Sequence, residues 1–468
     1  MRSLRQRLED LIAVDLRSLA ALRVGLAICV LADLADRARD LTLLYTDAGA
    51  YPGATMLELK GPIGRLSLHY WAGADPGLQA ALFALAAAAA VALGLGWHTR
   101  LASLACCYLV TSLQIRNPVV FLGGDLMLRM LLFWGLLLPL GARFSLDARR
   151  ARAAPLPDRC VSPAALALLL QVAAMYWITG WLKHGDLWWN GQAVAYVLRG
   201  QEFVTPFGTW LLRWPRVLQG ITWGTLAIEL LGPFLAFSPL ATRRLRIAAV
   251  ALFWGFHLGL ASCLNIGLFP LFSMAGWLAF LPGSFWPARS AAAGARPEPA
   301  GWRPRTRSLA ALAALAFFAL ATAQQFGAPR VLPGFLGTAA ETLGFRQGFG
   351  MFAPEPLRHS IAHRLLVRGA RGRLRSAPAA QTLRAMLLVR NVTRVGERAD
   401  QEPMLAGIRE AFLRYQCRAW ERRNPGRPPR SIALEQSWQG LDPGSALPER
   451  RIFAELRCDE TAPRAGAR

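Results

Sequence analysis

Apolar runs of membrane-spanning length recur along this chain as far as residue 326, and a run of about 20 apolar residues reads as a helix crossing a bilayer. They fall near 18–35, 78–97, 101–115, 125–141, 163–182, 217–238, 245–264, 266–283 and 308–326. The fold class expected is an all-α polytopic membrane bundle of about nine transmembrane helices. The first run has no small-residue cleavage site after it, so it reads as an uncleaved helix and not as a signal peptide.

The charge pattern sets the sidedness. Net charge is +24 and the pI about 11.2, a balance that suggests nucleic acid in a soluble chain. Here 54% of residues are hydrophobic and the arginines sit between the apolar runs. No zinc spacing or basic recognition helix accompanies them, so no nucleic-acid partner is expected. Arg2, Arg5, Arg7 and Arg17, then Arg100, then Arg143 to Arg159, then Arg243, Arg244 and Arg246, fall on one side when spans are counted. Positive charge marks the cytoplasmic side. The N-terminus is therefore expected in the cytoplasm, in a plasma or inner membrane. An odd number of spans places the tail outside.

Four stretches are expected: a transmembrane domain over 1–285, a cytoplasmic linker over 286–307, a last transmembrane helix over 308–326, and an extracytoplasmic α+β domain over 330–468. Within the tail, 382–394 reads as a strand. Residues 404–422 carry Met404, Ile408, Phe412, Tyr415 and Ala419 at helical spacing, and 451–458 alternate like a strand. Cys417 and Cys458 lie on the oxidising side, where pairing is open to them. The other five cysteines show no metal or redox spacing, and no metal is expected.

Only two of the 53 basic residues are lysines, Lys60 and Lys183. Lys183 follows an apolar run in Tyr176-Trp-Ile-Thr-Gly-Trp-Leu-Lys-His-Gly-Asp-Leu-Trp-Trp-Asn-Gly191. Arginine stays charged at any ordinary pH, whereas a desolvated lysine can release its proton and act as a base. Lys183 is read as a catalytic base, or else as a lysine retained by chance or an interfacial anchor beside tryptophans.

Other ionisable groups inside the runs are site candidates by default. Asp125 and Arg129 share a helix face at i, i+4, as a structural ion pair or part of a pocket. Glu229 serves either structure or catalysis. His257 is a hydrogen-bonded core residue or a proton carrier, and Asn265 lies two turns on. His184, Asp186, Trp188 and Asn117 fall on the same outer side and complete a candidate pocket for an amphipathic substrate.

These residues also carry a resemblance. Ser18 to Arg23, Tyr45-Thr-Asp-Ala-Gly49, Gly94-Leu-Gly-Trp-His-Thr-Arg100, Asn117 to Asp125, Pro139-Leu-Gly with Ser145-Leu-Asp147, Tyr176 to Gly191, Phe256-His257 and Asn265-Ile-Gly267 occur in order. Over roughly residues 14–285 the chain resembles the HTTM proteins, whose transmembrane domain is shared with vitamin K-dependent γ-carboxylase. Gly344 to Pro354 resembles the juncture after the last helix in bacterial members. The carboxylase oxidises vitamin K hydroquinone and carboxylates glutamate, a lyase-like chemistry. The resemblance implies that Lys183 falls on its catalytic lysine, Glu229 on an acidic position, and His257 and Asn265 on its His and Asn. The cofactor implied is a reduced quinone. Where the carboxylase has a histidine after the residue matching Asn117, this chain has Pro118, which argues against glutamate carboxylation. The expected function is a quinol-using membrane enzyme with a lysine base. The alternative is a non-enzymatic membrane protein assisting maturation or export of a secreted peptide through its outer domain.

Overall fold

A computed structural model describes residues 9–150, 158–200, 202–287, 304–323, 350–369, 374–378, 382–393 and 402–458 except 443 and 446, with scattered positions between 334 and 345. Most of the expected linker, and residues 346–349 of the juncture, lie outside the described residues.

Helices occupy all nine apolar stretches: α1 (Leu16–Ala38), α2 (Pro76–Leu95), α3 (Thr99–Arg116), α4 (Gly123–Leu136), α5 (Pro163–Leu182), α6 (Pro215–Ala236), α7 (Thr242–Cys263), α8 (Phe269–Trp277) and α9 (Pro304–Ala323). Among the described residues four of them, α1, α2, α5 and α7, are long and apolar enough to cross a membrane by themselves. The other five are shorter or more polar. α4 has 14 residues, about 21 Å at 1.5 Å per residue, and α8 has nine before it tightens into a 3-10 turn. The chain is thus an integral membrane protein with a mostly helical body.

Local chemistry starts and stops these helices. Asp15 caps α1 by accepting from the Arg17 N–H at 2.8 Å, and Ser162 caps α5 with Pro163 at its first position, the place where a missing N–H costs nothing. Between α2 and α3 the chain turns through Gly96 at φ +68, where an added Cβ would lie 2.3 Å from that of Ser145. Asp147 then accepts from His98 N, Thr99 N and Thr99 Oγ1 at 2.9, 2.7 and 2.7 Å. Partial burial works against the charge of Asp147, but these donors prevail and hold its carboxyl below the ordinary value. Two separated motifs, Gly94–Arg100 and Ser145–Asp147, are therefore one turn in space.

The tail forms a four-stranded antiparallel sheet from β1 (His359–Gly369), β2 (Leu374–Pro378), β3 (Pro429–Gly440) and β4 (Glu449–Arg457), in the order β2-β1-β3-β4. Leu365 faces Leu434 and Val367 faces Ile432 across the central pair, and both pairs are buried. Two helices accompany it, α10 (Leu383–Val392) and α11 (Glu402–Arg423). The expected strand over 382–394 is thus a helix. Thr382 caps it through the Ala385 N–H, and Ala385, Leu388, Val389 and Val392 form its buried stripe, a 3.6-residue period overlooked beside the Leu-Val run. Cys417 of α11 and Cys458 after β4 form a disulfide with Cα atoms 5.6 Å apart. Closing 41 residues removes unfolded-state freedom worth about 4 kcal/mol in the chain-entropy picture. Replacing both cysteines by serine is expected to raise hydrogen exchange in α11 and β4 while leaving α1 to α7 protected.

α10 docks on the bundle through charge. Arg384 reaches Asp33 at 2.7 Å, Asp125 at 3.0 Å and Asp36 at 2.9 Å. Arg37 binds Asp33 at 2.8 Å and Asp125 at 2.6 Å from the other side. Thr382 donates to Asp40, and Asn391 donates to the Val119 carbonyl at 2.5 Å.

Candidate functional site

The C-terminal end of α5 carries the site. Gly180 lets α6 come close: a Cβ there would sit 3.1 Å from that of Glu229. Lys183, the residue that ends α5, then extends its amine to both oxygens of Glu229 at 2.5 Å. Both side chains are buried, at 3% and 5% exposure. The amine also lies 4.7 Å from the centroid of the Trp188 ring, a cation–π distance. Trp188 is fixed in turn by donating its indole N–H to the Phe352 carbonyl at 3.0 Å.

Lys183 and Glu229 line a cavity of about 590 Å³ whose other walls are mostly apolar, from α4, α5, α6, α7 and the chain after α9. His257 and Tyr176 line it too. Trp277 donates to the Tyr176 hydroxyl at 3.0 Å, and that hydroxyl lies 2.6 Å from His257 Nε2. The direction of that bond depends on the tautomer of His257: with the phenol donating, Nε2 accepts and Nδ1 carries the hydrogen. Nδ1 is buried and has no partner, and neither has the Thr179 hydroxyl. Both belong to residues of the cavity wall. Buried polar groups are nearly always hydrogen-bonded, and these two belong to residues that line one cavity.

The cavity is roofed and has a side opening. Met351 and Phe352 close one face, and the Gly185 N–H donates to the Pro354 carbonyl at 3.1 Å. On the side, α6 and α7 pack tightly at Gly232, where a Cβ would lie 2.9 Å from the Phe253 ring. Gly224, Gly255 and Gly259 line the cavity, an added Cβ at each would meet nothing within 4 Å, and Gly255 and Gly259 are also exposed on the outer surface.

Of the residues singled out from sequence, Lys183, Glu229, His257 and Trp188 meet at this cavity. The others lie elsewhere. Asn117 braces a turn, donating to Leu44 O and accepting from Val119 N. Asp125 belongs to the arginine cluster that docks α10. Arg129 donates to Gln114 at 2.8 Å and stacks over Phe121. Asp125 meets two distant arginines, Arg37 and Arg384, which helical spacing alone does not name. His184, Asp186 and Asn265 are exposed, and the Asn265 N–H pairs with Phe203 O. Thr179 and Tyr176 escaped notice, although Thr179 precedes Lys183 by one helical turn and so shares its face.

Residues 65–285 match the family model of the HTTM domain. No curated protein and no solved structure matches the chain. α1 precedes the matched stretch but packs into the same core. Residues 65–285, just under half of the chain, are thus similar to the HTTM domain.

Proposed function

We propose that the cavity receives a lipid-soluble reduced quinone from the bilayer and that Lys183 acts as base toward its hydroxyl. The observation that carries this reading is a buried lysine–glutamate pair in an apolar cavity beside two partnerless polar atoms, His257 Nδ1 and Thr179 Oγ1. A reduced quinone bound there would supply a weakly acidic hydroxyl and two reducing electrons. The apolar walls suit its ring and tail, and the orphan N–H of His257 and hydroxyl of Thr179 suit its oxygens. Lys183 must first lose a proton, and Glu229 is placed to take it along a 2.5 Å hydrogen bond. That transfer leaves two neutral groups, which a low-dielectric cavity tolerates better than unpaired ions. The free Nζ is then ready to accept the hydroxyl proton, while Trp188 holds the resulting ammonium by its ring face. The roof at Met351 and Phe352 limits water.

The slot between α6 and α7 supports entry from lipid. The Cβ of Gly255→Leu has no protein atom within 4 Å, so the fold is expected to persist. Affinity for a long-tailed naphthoquinol in nanodiscs is expected to fall at least tenfold, with a tailless analogue bound as before. Equal affinity of wild type and variant for both would remove the slot as the route. No binding of either quinol by the wild-type protein would remove the quinone itself. In this reading the arginine-rich loops face the cytoplasm, and the cavity roof and tail lie outside.

A further inference from the structure

At the opposite end of α7 from His257, a second cavity of about 470 Å³ is lined by four arginines, Arg159, Arg243, Arg244 and Arg246, and two aspartates, Asp10 and Asp15. The two carboxylates are already engaged. Asp10 is 2.6 Å from Arg159, and Asp15 is 3.0 Å from Arg17. Arg246 is buried and donates only to backbone carbonyls, those of Leu11, Ala13 and Ala236. Among the described residues neither Arg243 nor Arg244 meets a carboxylate. Among the described residues, Arg243, Arg244 and Arg246 thus line this cavity without a carboxylate hydrogen-bonded to any of them. Two of the three stand in the first turn of α7, where the helix dipole disfavours cations and favours an anion. Three guanidinium groups around one cavity match the bidentate chemistry by which arginine holds phosphate.

We propose that this cavity binds a phosphate group, with Arg243 and Arg244 as its direct partners and the buried charge of Arg246 behind them. A phospholipid headgroup and a free phosphate ion share this chemistry, and the position at a helix end of a membrane protein brings both within reach. The site is independent of the quinol reading, since it shares no residue with the Lys183 cavity.

The test uses the full-length protein, delipidated in neutral detergent and titrated with phosphatidylglycerol or with inorganic phosphate, with adducts read by native mass spectrometry. Arg243→Gln/Arg244→Gln is compared with Arg149→Gln/Arg150→Gln, which removes the same charge from another exposed pair. The expected result is at least a tenfold loss of adduct in the first double variant and less than a twofold change in the second, at matched thermal stability. Retained phosphatidylglycerol identifies a lipid headgroup; a phosphate adduct without lipid identifies a free ion; either supports the site. Equal losses in both double variants would reduce the cavity to unspecific surface charge and overturn the proposal, as would binding of neither ligand by the wild-type protein.

Discussion

Lys183→Arg is expected to lower oxygen-dependent oxidation of a reduced quinone by roughly 10²- to 10⁴-fold, the range over which a positioned base contributes, with the fold retained. Arginine keeps the positive charge and can still pair with Glu229, whose carboxylate is buried with Lys183 as its partner. It does not release a proton at any ordinary pH. The substitution therefore separates charge from basicity. Lys183→Met removes both. It strands Glu229 inside the bundle and is expected to cost about 3–5 kcal/mol, as loss of one partner of a buried pair does. Adding Glu229→Leu to Lys183→Met is expected to recover most of that stability but none of the activity. Quinol oxidation unchanged in Lys183→Arg would end the role of Lys183 as base. Function that survives Lys183→Ala but not removal of the tail would favour the non-enzymatic alternative, in which the outer region does the work.

Arg384→Met is expected to release the tail from the bundle. Its guanidinium touches Asp33, Asp36 and Asp125, and the first and last of these are fully buried. Without Arg384, Arg37 alone faces the buried pair of Asp33 and Asp125. The expected cost is about 3–5 kcal/mol. It is read as faster hydrogen exchange in α10 and faster proteolysis of the tail, with α5 to α7 unchanged. Arg384→Lys is expected to rescue little, because a single ammonium cannot fork among three carboxylates. Protection of α10 equal to wild type in Arg384→Met would show that apolar packing of Leu388 and Val392 holds the dock instead.

The helical body was legible because hydropathy is a local signal: each apolar run became a helix within a few residues. The number of crossings was less so, since α4 and α8 are short and borrow burial from neighbours. Lys183 stood out by contrast with an otherwise Arg-written chain, and its partner Glu229 stood out as a carboxylate in an apolar run. Their meeting depends on Gly180, whose missing side chain carries no signal by itself. Helical spacing pointed from Asp125 to Arg129 and could not point to Arg384, which comes from 259 residues away. Strands β1 and β3 were not foreseen, because the sheet packs against α11 and not against lipid, so their faces mix Arg, Ser and Leu. α10 was misread because Leu387-Leu-Val389 looks β-like until Ala385 and Val392 are counted with it.

The carbonyls of Phe352 and Pro354 stitch the chain leaving α9 to the rim of the lysine cavity, and Gly185 leaves no room for a side chain there, since a Cβ would overlap Glu355. Lid and hydrophilic tail are thus one continuous strand of chain. Trimming the tail far enough to loosen that stitch would unroof a greasy chamber and open its amine to bulk water.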